Sequence, residues 1–527
     1  MTAPSQSYAN NALTLGKGTL ASRLLGFVRD AAIAALLGGG WMADALLLAF
    51  RLPNFARALL ANGAFAYALV PAYRSLKNIS HERAEVFVRS MTLALFLFFS
   101  VVVILGAVFS DKVALILAPG FGTMPDVLAM ASAFMALSLL SLPLVSGAAV
   151  SSAALMAEGR FRPPAYASAV FNIVVIVSAG LAFLLDGPGG DLVPYVLCFG
   201  IIAAGLTQWF YQVFFLRRLG FPAHGPLAFR DPLFTQALRA LPRSVFSVGG
   251  HQANLLAATL LTSFFAEGSI SALYFAERMI DFPLGVIGAS MGLAALSDLS
   301  ALAPALGDGT EPTPAKKLFT DRLTRANTIT LFFALPAAVG TACLAVPLTA
   351  SIFGYGEFDQ EALARTSDAL FAYLVGLPAL ALIRPLLAGL SALGKTAAST
   401  QAALAGLIGT ILFGCLFLPT GAAWGPALAV SLAAWTNAAF LLRSLARQGY
   451  FPVPNVFWPL KSLLACAVMA LCVILAADMF ATNLGKVATI PLGVAVYLLA
   501  ARLLRMEESS LVLKFAWNAM WEKGKKS

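Results

Sequence analysis

The stretch SRLLGFVRDAAIAALLGGGWMADALLLAFRLPN, residues 22–54, decides the fold. Two apolar runs meet at the glycine triplet Gly38, Gly39 and Gly40, and each carries charge in its interior: Arg23, Arg29 and Asp30 in the first, Asp44 and Arg51 in the second. At 1.5 Å per residue, a helix that begins near Ala12 carries Arg23 roughly 16 Å along its axis, to mid-bilayer. Arg51 lies ten residues past Trp41 and reaches a similar level from the opposite face. A charge at that depth costs roughly 2.5–3.5 kcal/mol on insertion scales, so it normally faces a wet cavity and marks a substrate path. Arg57 follows in the second run, and Arg278 and Arg384 repeat the pattern in later apolar stretches. Arg29 and Arg57 lie farther along their helices, where snorkelling to an interface is the competing reading. The pattern points to a transporter of something anionic.

The whole chain agrees with this stretch. It has 527 residues, 60% of them hydrophobic and 11% charged, against about 25% charged in soluble domains. Its mean hydropathy is +0.84. Apolar runs near 12–38, 42–72, 87–118, 127–156, 164–185, 192–216, 240–266, 269–300, 323–353, 362–392, 397–418, 423–446, 457–479 and 485–505 predict an all-α polytopic membrane protein of about 14 transmembrane helices. The polar N-terminus lacks the short apolar core and cleavage site of a signal peptide. One set of loops is basic, for example Arg74, Lys77, Arg83 and Arg89, then Arg160 and Arg162, then Arg443 and Arg447; the alternate set is short and neutral or acidic. The Lys/Arg bias therefore predicts that both termini are cytoplasmic. It also accounts for the net charge of +10 without nucleic acid.

Two segments match internally. GGWMADALLLAFRLPN (39–54) resembles AEGSISALYFAERMIDFP (266–283), and ALMAEGRFRPP (154–164) resembles GLSALGKTAAS (389–399), at an offset of about 230 residues. That offset spans six helices, an even number, so the copies share one orientation as a parallel repeat. The expected organisation is a six-helix lobe over 1–218, a second over 219–450, and two further helices with a basic tail over 451–527.

Acids accompany the arginines. Arg23 and Asp30 are seven apart, as are Asp44 and Arg51, which places each couple on one helix face. Arg278 and Asp281 are three apart and can pair directly, with Glu277 beside them. Six arginines against Asp30, Asp44, Glu277 and Asp281 leave two positive charges over. A diphosphate complements that surplus, because the guanidinium fork binds phosphate oxygens bidentately. Pro53 and Pro283 follow Arg51 and Arg278 and suggest a bend at the mouth of a cavity. His81, His224 and His251 form no catalytic or metal constellation, and the five cysteines sit singly in apolar runs. The glycine triplet lacks the Lys-Ser/Thr of a nucleotide loop. No cofactor, metal or enzymatic activity is expected.

SRLLGFVRD (22–30), ADALLLAFRLPN (43–54), GAFAYALVP (63–71), APGF (118–121), YFAERMIDFPLGVIG (274–288) and IFGYGEF (352–358) together resemble the MurJ/MviN lipid II flippases of the multidrug/oligosaccharidyl-lipid/polysaccharide exporter superfamily. The resemblance implies an inner-membrane protein with two six-helix lobes facing a cationic central cavity that opens by alternating access, and a groove for the lipid tail in the last two helices. It implies export of undecaprenyl-diphosphate-linked disaccharide-pentapeptide, lipid II, for peptidoglycan synthesis, with membrane lipids and cell-wall synthesis proteins as partners. The family's essential arginines fall on Arg23, Arg29, Arg57 and Arg278, and its acidic position in the second helix on Asp44; Arg51 joins them by depth. Asp30, Glu277, Asp281 and Arg384 are read as charge partners or gating groups. Where relatives often carry Glu, this chain has Asn62. Export of another polyprenyl-diphosphate oligosaccharide is the alternative, and a membrane enzyme on such lipids a weaker one, since no Glu, Ser or His cluster accompanies the arginines.

Overall fold

The computed structural model describes residues 4–59, 65–222, 224–306 and 313–510; Asn62 and the basic tail lie outside them. The described chain is helical, and each of the fourteen apolar stretches falls on one helix or on consecutive helices. The chain divides into two compact units, Met1–Ser271 with Tyr355–Ala362, and Ala272–Gly354 with Leu363–Ser527.

The first unit holds α1 (Pro4–Leu37), α2 (Trp41–Leu59), α3 (Phe65–Ile79), α4 (His81–Val108), α5 (Ser110–Leu117), α6 (Pro125–Leu139), α7 (Leu142–Ala157), α8 (Arg162–Asp186), α9 (Val193–Arg218) and α10 (Pro232–Thr262), together with the start of α11 (Ser269–Leu302). The second continues along α11 with α12 (Pro314–Cys343), α13 (Ala345–Phe353), α14 (Gln360–Ala392), α15 (Thr396–Phe417), α16 (Trp424–Ala446), α17 (Phe457–Ala477), α18 (Asn483–Val487) and α19 (Ile490–Leu503).

By length and composition, 11 spans among the described residues can cross a membrane. The remaining stretches, α1, α2 with α3, and α10, are more polar: α1 carries Arg23, Arg29 and Asp30, and α2 carries Asp44, Arg51 and Arg57. The outer faces need lipid: Phe98, Ile104 and Val108 of α4 are 59%, 62% and 67% exposed. An apolar row of that kind, running the length of a helix, is untenable in water.

The internal repeat is visible in the backbone. After α7, Gly159 adopts φ +72°, and the Arg160 amide donates to the Leu155 carbonyl at 2.8 Å; after α14, Gly394 adopts φ +69°, and the Lys395 amide donates to the Leu390 carbonyl at 2.9 Å. The same left-handed cap ends α9 at Gly220 and α16 at Gly449, each followed by a buried aromatic, Phe221 and Tyr450. Glycine supplies this conformation without a Cβ penalty, and the returning amide satisfies a terminal carbonyl. The short helices α5 and α13 also occupy matching places in the two copies.

Within the first unit, close approach depends on small residues. A Cβ on Gly18 of α1 would lie 2.5 Å from the Ala165 carbonyl oxygen of α8, and one on Gly147 of α7 would lie 2.5 Å from the Trp209 ring of α9. Without a hydrophobic driving force between helices in lipid, such contacts supply the packing. In the second unit, α17 and α19 pack on α12 around Phe332, Met469, Val473 and Tyr497.

Candidate functional site

In the first unit Arg29 of α1 and Arg57 of α2 meet adjacent residues of α8. Arg29 is buried, with Nε and Nη2 donating to Asp30 Oδ1 at 2.8 and 2.7 Å and Nη1 donating to Asn172 Oδ1 at 3.1 Å. Asn172 in turn donates from Nδ2 to the Ser22 carbonyl at 2.8 Å. The next residue back, Phe171, carries Arg57, whose guanidinium carbon lies 4.3 Å from the ring centroid, while Nη2 donates to Asn54 Oδ1 at 3.0 Å. Neighbouring residues of α8 therefore hold two cationic groups drawn from two other helices.

Asn172 was not singled out in the sequence. Its signal was a lone amide inside VFNIVVIV, a position where burial without partners costs several kcal/mol. Asp30 pairs with adjacent Arg29, whose side chain is long enough to fold across the intervening 100° of helix. Arg51 is buried and Arg23 partly exposed in the same unit. Pro53 lies inside α2, and Pro283 inside α11.

Asp44 is fully buried, and its two oxygens accept from backbone amides, Oδ2 from Gly268 at 2.9 Å and Oδ1 from Ser271 at 2.7 Å. These amides open α11, so the carboxylate caps that helix where its dipole is positive. The exchange is reciprocal: Glu267 Oε1 accepts from the Trp41 amide at 3.1 Å, at the first residue of α2. Capping is a chemistry that an acid in a spanning helix serves as well as pairing does, and spacing along one helix does not reveal it.

In the second unit Arg278 donates from Nη1 to Asp281 Oδ2 at 3.1 Å, the pairing expected from their spacing, and stacks over Tyr274 at 4.8 Å. Glu277 is buried beside it. Arg384 of α14 crosses α11 at two glycines, where a Cβ on Gly288 or Gly292 would meet its side chain at 3.3 or 3.1 Å. Its side chain is the most exposed of the six arginines'.

A separate apolar cavity of about 370 Å³ opens among α12, α17 and α19, lined by Phe332, Phe333, Met469, Val473, Val494 and Tyr497. The Tyr497 hydroxyl donates to the Phe332 carbonyl at 3.0 Å, so its polar end is satisfied internally and the ring presents only its apolar body to the cavity.

No group of three or more His, Cys, Asp and Glu side chains among the described residues is arranged to hold a metal ion. The arrangement suits anion binding: guanidinium groups held by hydrogen bonds and aromatic faces, with an apolar cavity on the final helices.

Comparison with known proteins follows the same line. The family model described as Lipid II flippase MurJ matches residues 33–495. The probable lipid II flippase MurJ of Haemophilus influenzae is 32% identical over 464 residues, covering 86% of this chain and 89% of that protein. The lipid II flippase MurJ of Burkholderia cenocepacia is 28% identical, covering 84% and 85%. Among solved structures, a lipid II flippase MurJ in an inward closed conformation superposes with a TM-score of 0.80 at 23% identity, covering 94% of this chain and 99% of that one. An inward-facing multidrug resistance MATE transporter superposes at 0.64 with 16% identity over 81% of this chain and 95% of its own, which shows a shared fold. The match across residues 33–495, with a relative 32% identical over most of both chains, places this chain in the lipid II flippase MurJ family.

Proposed function

We propose that the chain moves lipid II from the cytoplasmic to the periplasmic leaflet of the bacterial inner membrane, making and breaking no covalent bond. The observation that carries this reading is the convergence of Arg29 and Arg57 on Phe171 and Asn172: two spanning helices bring guanidinium groups to one place, and the neighbouring side chains fix their planes. Fixed guanidinium planes suit phosphate oxygens better than a mobile point charge does. Arg23, Arg29, Arg51, Arg57 and Arg278 are the groups that bind the diphosphate in this reading. Asp44 serves that site by fastening the first turn of α11, the helix that carries Arg278. The apolar cavity among α12, α17 and α19 receives part of the polyprenyl tail, since it offers aliphatic and aromatic surface and few polar groups.

The test is complementation in a strain depleted of its own flippase, with lipid II assayed on each leaflet. Expression of this chain should restore growth and empty the cytoplasmic pool. Restored export of a different polyprenyl-diphosphate oligosaccharide, with lipid II still trapped inside, would transfer the reading to that substrate. Photo-crosslinkers at Val473 and Val494 should capture the polyprenyl chain; labelling confined to other helices would remove the tail assignment.

A further inference from the structure

A basic cavity lies in the first unit, and none of the arginines of α1 and α2 lines it. Its volume is about 680 Å³, within the roughly 300–1,000 Å³ of small-molecule sites. The wall is built where α7 ends, α8 begins and α9 ends, and it presents Arg160, Arg162 and Arg218 with Tyr166, Tyr211 and Phe161. All three helices belong to spans long and apolar enough to cross a membrane, so their shared end sits at a membrane surface. The loops at that end are the basic ones, the side on which anionic headgroups and Lys/Arg-rich loops meet.

The cavity concentrates unspent positive charge. Among the described residues none of its three arginines forms a salt bridge. The acid nearest in sequence, Glu158, is engaged elsewhere: Lys77 Nζ donates to both of its oxygens at 2.6 Å, and the Tyr73 hydroxyl donates to Oε1. Arg218 is oriented by its face, with the guanidinium carbon 4.4 Å from the Phe214 ring centroid. Three like charges at one mouth repel one another unless an anion sits between them. The aromatic lining adds rings whose apolar bodies suit acyl or glycerol carbon at the interface.

We propose that this cavity binds the phosphodiester headgroup of an anionic membrane phospholipid. The phosphate sits among Arg160, Arg162 and Arg218, and the two tyrosines line the glycerol backbone. This is a lipid of the surrounding membrane, held at the ends of α7, α8 and α9, and it is distinct from the transported molecule.

The full chain, purified in detergent, is titrated with phosphatidylglycerol, phosphatidylcholine and sn-glycerol 3-phosphate, and bound ligand is counted by native mass spectrometry. The wild type should retain phosphatidylglycerol in preference to phosphatidylcholine. Each removed charge should weaken retention about fivefold, so the triple variant R160Q/R162Q/R218Q should lose on the order of a hundredfold, while R447Q in another basic loop loses nothing. A diazirine phosphatidylglycerol should label residues 155–166 or 211–219 of the wild type, a readout that survives if the triple variant fails to fold. Equal retention by the triple variant, or labelling confined to other segments, would overturn the site. Binding of glycerol 3-phosphate with the same arginine dependence, and no preference for phosphatidylglycerol, would overturn the lipid in favour of a soluble anion.

Discussion

At the scale of the residue, each arginine is defined by what holds it. Charge-assisted bonds to phosphate contribute roughly 1.5–3 kcal/mol each, so losing one weakens binding about tenfold to a hundredfold. Arg23→Ala and Arg278→Ala should insert at normal levels yet fail to support growth in complementation, whereas Arg83→Ala and Arg447→Ala should grow as wild type. Normal growth of both these variants would reduce those arginines to insertion elements. Arg278→Lys keeps charge but loses the fork over Tyr274 and should rescue only partly. Glu158 lies outside the spans, and its carboxyl is held below the usual range: burial pushes it up, but the hydrogen bonds from Lys77 and Tyr73 and the charges of Lys77 and His81 outweigh that. A depressed folded value means the stabilisation is complete above the ordinary carboxylate pKa and is lost as pH falls through the folded one. The thermal midpoint of the purified protein should therefore fall with acidification, and Glu158→Gln should flatten that dependence; an unchanged slope in the variant would assign it to other groups.

At the scale of the element, helix ends and helix contacts carry the consequences. Removing a side-chain cap costs about 0.5–2 kcal/mol, so Asp44→Ala should lower stability by that order and reduce export at unchanged expression. The loss arises at the first turn of α11, where the Gly268 and Ser271 amides are left without their acceptor. Asn shares the amide-accepting oxygen, so Asp44→Asn should retain more stability than Asp44→Ala; equal loss would show that charge, not capping, is what matters. Gly18→Val should be worse, because its side chain would collide with the backbone of Ala165 and force α1 from α8, an overpacking cost of about 1–3 kcal/mol. Protein yield and thermal midpoint measure both. Helix positions were legible in the sequence because apolar length is dictated by bilayer thickness. Breaks inside those stretches, such as α4 from α5 and α6 from α7, were not, since a short non-helical join in an apolar run leaves no change of composition.

At the scale of the whole molecule, orientation follows from charge. Reporter fusions after Ser80 and Gly220 and at Ser527 should read cytoplasm, and fusions after Gly122 and Phe358 periplasm, because the first group follows basic loops or the basic tail and the second follows neutral or acidic ones. A periplasmic reading at Ser527 would overturn the count of fourteen. By itself the sequence determined the membrane class, the repeat and the presence of cationic groups inside apolar stretches, because these depend on composition and on distance along single helices. It also disclosed the Arg278–Asp281 pair, which one helix turn brings together. Only the tertiary structure decided that Arg29 and Arg57 meet neighbouring residues of α8, that Asp44 caps α11 more than 200 residues away in sequence, and that three loop and terminal arginines enclose a cavity. Those contacts join different helices, and in lipid the faces that meet are chosen by small-residue packing and by the need of each buried polar group for a partner, neither of which is written in the order of residues along any one helix.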